Sequence, residues 1–409
     1  LTGNVGRSGG GFSVYVGQYK VRVDTSPWWS PGGTKAHVVP SVYFVRGRTE
    51  TMHPDVPYPE NGWHGLFCTF ANMFVQAMDV NRLHETLAGL DLVVVVDHQM
   101  TETVKWADIV LPATTWYEKT DLTATPLHPF LQLQQAAIPP VGESRSELWM
   151  WREIVRRIDP AKAAEFFEMD EEGAIEEILA KGGGPGGPTE GITLAMLKAG
   201  PVRLPVADPD IPFLDQVENL VPFPPRSLPA PLEATAAFIP TRRIEFYKEE
   251  EQFRDLGEQV PVYRPPHDDE VHDPATYPMS LLTPHSKWRI HSSYANNAWL
   301  EELHGGRPEV FISPQDAFAR DIETGDQVRL WNTRGEVVAW AHVTPSEQRG
   351  SITLYEGWWP RQFAKGKGVN ELTSSAVNPI HEVHFVGNMW APSTGWKDCR
   401  CDIEKVGDA

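Results

Sequence analysis

The sequence predicts an α/β domain with an open, mostly parallel sheet, followed by a carboxy-terminal β-barrel domain. Three observations carry this prediction. Residues 90–97 (LDLVVVVD) are a near-continuous β-branched run between charges, the pattern of a strand covered on both faces. Residues 144–158 then show helical spacing, so strand and helix alternate within residues 1–160. From residue 278 onward, short strand-like runs follow one another with one small helix among them, which suggests a closed barrel.

Each element has a local reason. Residues 109–111 form a second short apolar strand, closed by Pro112. In residues 144–158, Ser144 and Ser146 are available as N-caps, and Leu148, Trp151, Val155 and Ile158 make one apolar stripe. Residues 161–179 read as acidic helix with a break near Gly173, and GGGPGGP at 182–188 punctuates the chain. The Pro-rich residues 200–240 read as extended loop over the surface, so residues 161–277 form a helical and Pro-rich connecting region. Within residues 278–409, the runs 328–332 and 337–343 flank Thr333-Arg334-Gly335-Glu336, a hairpin signal with Gly in the turn. Pro314 opens the small helix, and residues 351–355 and 399–406 are further strands. Cys399 and Cys401 alternate with Asp398, Arg400 and Asp402, which puts both thiols on one face of the last strand, the core face.

Composition excludes some functions. A net charge of −19 argues against a nucleic-acid partner, because phosphate binding needs surplus Lys and Arg. Three cysteines without a CxxC make neither a disulfide framework nor a zinc or iron–sulfur site from this chain alone. No apolar run approaches membrane-span length. The first residues lack a basic region and an apolar region, so any export signal is expected on another segment.

Four stretches have the side chains for chemistry. Asp97-His98-Gln99-Met100-Thr101-Glu102-Thr103 follows the buried strand, and open α/β sheets bind ligands beyond the carboxyl ends of their strands. A carboxylate there can accept from a ribose hydroxyl or a guanine edge, and a helix start at Thr101 offers N–H groups to a phosphate. A plain loop with Thr as N-cap is the alternative. Gly9 and Gly10 lie in a glycine-rich stretch that is neither a Walker loop nor a GxGxxG; it is a close-approach loop or simply a turn. His285, Lys287, Arg289, His291 and Ser292 supply many donors within eight residues, suited to heterocycle carbonyls and phosphates. Metal ligation by His285 and His291, or a purely structural hydrogen-bonding role, is the alternative; no Cys, Asp or Glu stands nearby with metal-ligand spacing, and no metal ligand is assigned. Trp358, Trp359, Arg361 and Phe363 form an aromatic cluster suited to a channel wall or a core. Neither GxSxG nor HExxH is present, and no catalytic residue is assigned.

Taken together, these segments resemble a known family. ADIVLPATTWYEK at 107–119 resembles the third domain of the molybdenum-bis(molybdopterin guanine dinucleotide) enzymes, the dimethyl sulfoxide reductase family. GGGFSVYVGQYKVR at 9–22, the segment 115–130 and HSKWRIHSSY at 285–294 are similar to the catalytic subunit of respiratory nitrate reductases, of the type II branch. ISPQDAFARDIETGDQVRLWNTRGEV at 312–337 resembles the fourth-domain barrel of the whole family, and LYEGWWPRQF at 354–363 resembles exported members of the branch.

The resemblance implies a six-stranded double-psi-type barrel capping both pterins, beside an α/β domain gripping one guanosine end. It implies nucleotide contacts at Asp97, Thr101 and Asp108, and pterin contacts at His285, Ile290, His291 and Ser292, beside which Lys287 and Arg289 are further cofactor-binding candidates from their donors. Trp396 and Lys397, in TGWKDCRCDIEKV, match the terminal cofactor-contacting segment, and Gly9 and Gly10 a loop near the active-site funnel. The family's amino-terminal cluster-binding Cys/His motif and its molybdenum-ligand segment are absent from these residues. The expected partners are therefore an amino-terminal half, on the same or a separate chain, and an iron–sulfur electron-transfer subunit. A haem or membrane-anchor subunit is a further expected partner. Iron–sulfur clusters belong to absent segments or to that partner. The expected activity is two-electron oxygen-atom transfer, nitrate reduction first, on the periplasmic side, with the cytoplasmic face as the alternative. Selenate, chlorate, perchlorate, nitrite, dimethyl sulfide, hydrocarbon and formate chemistry are the competing substrates. A non-catalytic subunit retaining the fold is the competing class.

Overall fold

The computed structural model describes residues 39, 41–47, 62–124, 128, 130–166, 168–185, 187–204, 246–380 and 394–407. Gly9, Gly10 and the Pro-rich residues 205–240 lie outside the described residues. The chain divides into two compact units that interleave in sequence: Leu1–Lys35 with Pro112–Tyr247, and Ala36–Leu111 with Lys248–Ala409.

In the second of these units, the β-branched run forms β2 (Leu92–Asp97), flanked by β1 (Gly65–Thr69) and β3 (Ile109–Pro112) in the order β1-β2-β3. β1 and β2 are parallel, from Gly65 opposite Leu92 to Thr69 opposite Val96. Val93 to Val96 are all buried, which is why the run carries no polar alternation. The helix Val80–Ala88 and the short helix Ser41–Arg46 cover this sheet through Leu83, Leu87, Val42, Tyr43 and Val45.

The unit that contains Pro112–Tyr247 holds a small antiparallel sheet of β4 (Asp121–Thr123), β5 (Phe130–Gln134) and β6 (Val202–Arg203). Its core gathers Leu131, Ile175, Leu179, Leu194 and Leu197. The helix expected at 144–158 runs Glu147–Ile158, and Ser146 caps it by accepting from the Trp149 N–H. Its expected stripe is corrected: Met150 is the buried position, while Trp151 and Ile158 are 40% and 78% exposed. The reason is that a short helix rich in apolar residues offers more than one face, and periodicity alone does not choose between them. The break expected near Gly173 falls earlier, because the Asp170 carboxylate accepts from the Gly173 N–H and starts a helix over Glu171–Gly182.

The carboxy-terminal strands β7 (Met279–Leu282), β8 (Glu309–Ile312), β9 (Gln327–Trp331), β10 (Glu336–Val343), β11 (Ser351–Leu354) and β12 (Cys399–Lys405) close a six-stranded barrel, in the order β10-β8-β11-β7-β12-β9. The hairpin read from Thr333-Arg334-Gly335-Glu336 joins β9 to β10. Asn332 holds that turn by accepting from the Arg334 and Gly335 N–H groups. Leu281, Val310, Ile312, Leu330, Ile352, Leu354 and Ile403 fill the interior with almost no exposure. Each such side chain contributes roughly 1.5–3 kcal/mol on leaving water. Cys399 and Cys401 are in the same core, as their alternation implied, and burial pushes the Cys399 thiol up to about 12.

Strand direction sets the position of the site. β7 and β11 are parallel, and β12 runs antiparallel to β7. The carboxyl ends of β7 and β11 and the amino end of β12 therefore reach the same rim. The loops after β11 also carry Asn370, whose amide donates to the Val75 carbonyl at 2.7 Å, and Ser375, whose hydroxyl donates to Asp79 at 2.7 Å. These bonds fix residues 72–79 against that rim.

Candidate cofactor site

Asp97 ends β2 and is 9% exposed. The His98 N–H donates to its carboxylate at 2.8 Å, and burial pushes its carboxyl above the usual range against the help of nearby donors. Thr101 is buried, and its hydroxyl accepts from the Val104 N–H at 3.3 Å. The helix expected to start there is corrected: it is a single 3-10 turn, Val104–Trp106. Three residues carry too little aligned dipole to hold a phosphate as a helix terminus does. Asp108 accepts from the Val93 N–H at 2.7 Å, at the amino end of β2, so it stands at the other end of the strand from Asp97.

The segment 285–292 leaves the carboxyl end of β7. His285 and His291 meet edge to face with ring centroids 4.8 Å apart. Glu356, just beyond β11, sits beneath both: its Oε1 is 3.0 Å from Nδ1 of each histidine. Its other oxygen accepts from Lys397 at 2.7 Å, and the same ammonium donates to the Thr283 carbonyl and hydroxyl. Burial alone would raise the Glu356 carboxyl, but Lys397 first and then the two histidines hold it below the usual carboxylate range. Gly357 follows with φ of 91°, and a Cβ there would lie 2.0 Å from the His291 carbonyl oxygen. Glycine is what lets the histidine segment pass so closely.

Arg289 lies beneath the loop, 7% exposed. Its guanidinium is 3.8 Å from the centroid of Trp358, and Nη1 donates to the Gly357 carbonyl at 3.0 Å. Nη2 is buried with no hydrogen-bond partner, and burial pulls the group from its ordinary value down to about 10. His304 stacks on the same indole at 4.6 Å, and burial and Arg289 push it down to about 4. Trp359 donates its indole N–H to the Ser292 carbonyl at 2.8 Å.

Two clefts adjoin at Trp358. One, of about 250 Å3, is lined by Thr283, His291, Ser292, Glu356, Gly357 and Lys397, among others. The other, of about 310 Å3, has His285, Lys287, Trp288, His304 and Arg307 on its walls. The Gln99 side chain accepts from the Asn296 amide at 2.6 Å, which ties the loop after Asp97 to the segment after Ser292.

The structure thus brings together His285, Arg289, His291, Ser292 and Lys397, and links the Asp97–Thr101 loop to them. Lys287 is exposed with its ammonium over Trp288 at 4.5 Å, and Ile290 is 64% exposed. Trp396 lies in the turn Gly395–Lys397, with its side chain outside the described residues. Sequence reading missed Glu356, Thr283 and His304. Glu356 is a third group close to both histidines, with the ligating atoms of all three within 4.8 Å. It is 65 residues from His291, and only the parallel β7–β11 pair brings it there.

Polar groups of both kinds line this rim, one cation has an unused buried N–H, and flat rings line the walls. The set fits a ligand that joins a polar heterocycle to anionic groups. Fold and site together define a closed barrel with a polar, ring-walled rim. Residues 279–388 match the molydopterin dinucleotide binding domain, and residues 1–157 match the molybdopterin oxidoreductase model. The respiratory nitrate reductase subunit alpha of Haloferax mediterranei is 30% identical over 100% of this chain and 48% of its own length. The perchlorate reductase subunit alpha of Dechloromonas aromatica is 26% identical over 99% of this chain and 48% of its own length. Acetylene hydratase from Pelobacter acetylenicus shares the fold, with a TM-score of 0.62 at 18% identity over 87% of this chain and 45% of that one. The chain belongs to the molybdopterin oxidoreductase family, the dimethyl sulfoxide reductase family. It spans about half the length of the curated relatives it matches.

Proposed function

We propose that this chain holds part of a molybdenum-bis(molybdopterin guanine dinucleotide) cofactor in a respiratory reductase, with nitrate as the substrate. The observation that carries the reading is the rim itself. Two histidines, a buried arginine with an unused N–H, and Ser292 converge there, joined through Gln99 and Asn296 to the strand end at Asp97. His285, His291 and Ser292 would meet the pterin, Arg289 a phosphate or carbonyl, and Asp97 a guanine or ribose edge. Bound there, the cofactor supplies the metal at which an oxygen atom is transferred with two electrons. The chain's own residues orient the cofactor and wall its pocket.

Nitrate is favoured by the alignment over the whole chain to a nitrate reductase subunit and by the HSKWRIHSSY segment. Electrons would arrive from an iron–sulfur partner, with the clusters carried on segments outside this chain. Among the described residues no helix is long and apolar enough to cross a membrane. The proposed position is the periplasmic side, with membrane association through a haem or membrane-anchor partner. The test is anaerobic oxidation of reduced viologen by the purified holoenzyme with nitrate, perchlorate or trimethylamine N-oxide as acceptor. A kcat/KM highest for nitrate supports the reading, and a higher value for either other acceptor overturns the substrate.

A further inference from the structure

The polar face made by His285 and His291 has a defined hydrogen-bond polarity, and Glu356 sets it. A carboxylate oxygen only accepts. Oε1 is 3.0 Å from both Nδ1 atoms; with His291 the contact is a hydrogen bond, so that ring carries its proton on Nδ1, and the same proton position on His285 places its N–H toward the same oxygen rather than a bare lone pair. Nε2 then stands on the far side of each ring, and in a neutral ring it is an acceptor. The rings have that side free to meet a ligand, since their side chains are 66% and 59% exposed while Glu356 is 13% exposed. Lys397 keeps Glu356 from turning, because it grips the second oxygen at 2.7 Å and is itself tied to Thr283 at 3.1 Å. Thr283 and Ser292 line the same cleft as the carboxylate, and both are uncharged.

We propose that Glu356 is the positioning residue that holds His285 and His291 as Nδ1–H tautomers, so that their paired Nε2 atoms receive an N–H edge of the bound heterocycle. This deepens the cofactor reading and rests on it for the identity of the ligand. A divalent metal shared by the three side chains is the competing arrangement. Lys397 disfavours it, since an ammonium on the same carboxylate repels a second cation.

The experiment uses the holoprotein with 15N-labelled histidine. Wild type, Glu356→Gln, His285→Ala/His291→Ala and the triple variant are compared for histidine tautomer by 15N NMR and for pterin retained after dialysis. The inference expects both rings to be Nδ1–H in wild type and mixed in Glu356→Gln. It also expects pterin retention to fall about tenfold in Glu356→Gln, with no further loss when that change is added to the double variant. Nε2–H rings in wild type, or additive losses in the triple variant, overturn it. So does stoichiometric zinc in the purified wild type that is lost in Glu356→Gln. Wild type without pterin but with both rings Nδ1–H removes the cofactor reading and leaves the tautomer assignment standing. Thermal unfolding of Glu356→Gln near that of wild type separates the effect from loss of fold. If that variant is poorly folded, Lys397→Met, which frees the carboxylate to turn, gives the same tautomer readout.

Discussion

Replacing Arg289 by methionine should weaken cofactor retention while leaving the cofactor-free fold nearly as stable. Burial, partly offset by Glu301, pulls the guanidinium from its ordinary value down to about 10. At about 1.4 kcal/mol per pH unit, holding it costs about 3.5 kcal/mol. Two contacts offset this in the protein without ligand: the indole face of Trp358 at 3.8 Å, worth about 2 kcal/mol when desolvated, and the bond to Gly357 at 3.0 Å, worth about 1.5–3 kcal/mol. The balance is near zero, so Arg289→Met should leave the melting temperature within a few degrees. An anionic or carbonyl group of the ligand would give Nη2 its missing acceptor, and a charged hydrogen bond adds about 1.5–3 kcal/mol. That is roughly 10- to 150-fold in retention. The assay dialyses holoprotein and follows molybdenum and guanosine nucleotide remaining per chain, beside calorimetry of the stripped protein. The reasoning is refuted if R289M keeps its cofactor like wild type, or if the stripped variant melts more than ten degrees lower.

Other perturbations separate fold from site. Asp268 is fully buried, paired with Arg334, and accepts from the Arg400 N–H at 2.7 Å, so Asp268→Ala should cost about 3–5 kcal/mol in denaturant unfolding by leaving Arg334 uncompensated. Glu118 accepts from the Thr115 hydroxyl and N–H and from the Val141 N–H, which hold its carboxyl down to about 2 from 4.5. Its folded form favours the charge, so the stability it contributes is present above about pH 4.5 and lost as pH falls toward 2; Glu118→Gln should flatten urea-unfolding stability across that window. Burial and Arg289 push His304 down to about 4, so stability should fall as pH drops from 6.5 to 4, and less so in R289M, as chemical denaturation at stepped pH will read. Gly357→Ala should displace the His291 segment, read as lost pterin retention with the barrel still folded, because its Cβ would sit 2.0 Å from the His291 oxygen.

What the sequence revealed and what it hid have separate physical causes. β2, the hairpin at Thr333–Glu336 and the shared face of Cys399 and Cys401 follow from local periodicity, and each stands in the structure. Barrel closure was readable only as a class, since strand order β10-β8-β11-β7-β12-β9 depends on long-range pairing. The histidine segment was visible because its polar side chains are consecutive. Glu356 was not, because nothing local marks a glutamate just beyond one strand as the partner of a loop leaving another. Asp108 illustrates the converse: it matches a nucleotide-gripping segment in sequence, yet it bonds to the Val93 N–H at the far end of β2 from Asp97.

The account stands on this rim holding a molybdenum cofactor, and the most direct measurement is metal and nucleotide content. Elemental mass spectrometry and released guanosine nucleotide are to be measured on the assembly as isolated from its source. The account predicts near one molybdenum and two guanosine nucleotides per copy of this chain. A molybdenum content near zero in an assembly that is otherwise intact would contradict it and leave His285, Arg289 and His291 as structural groups.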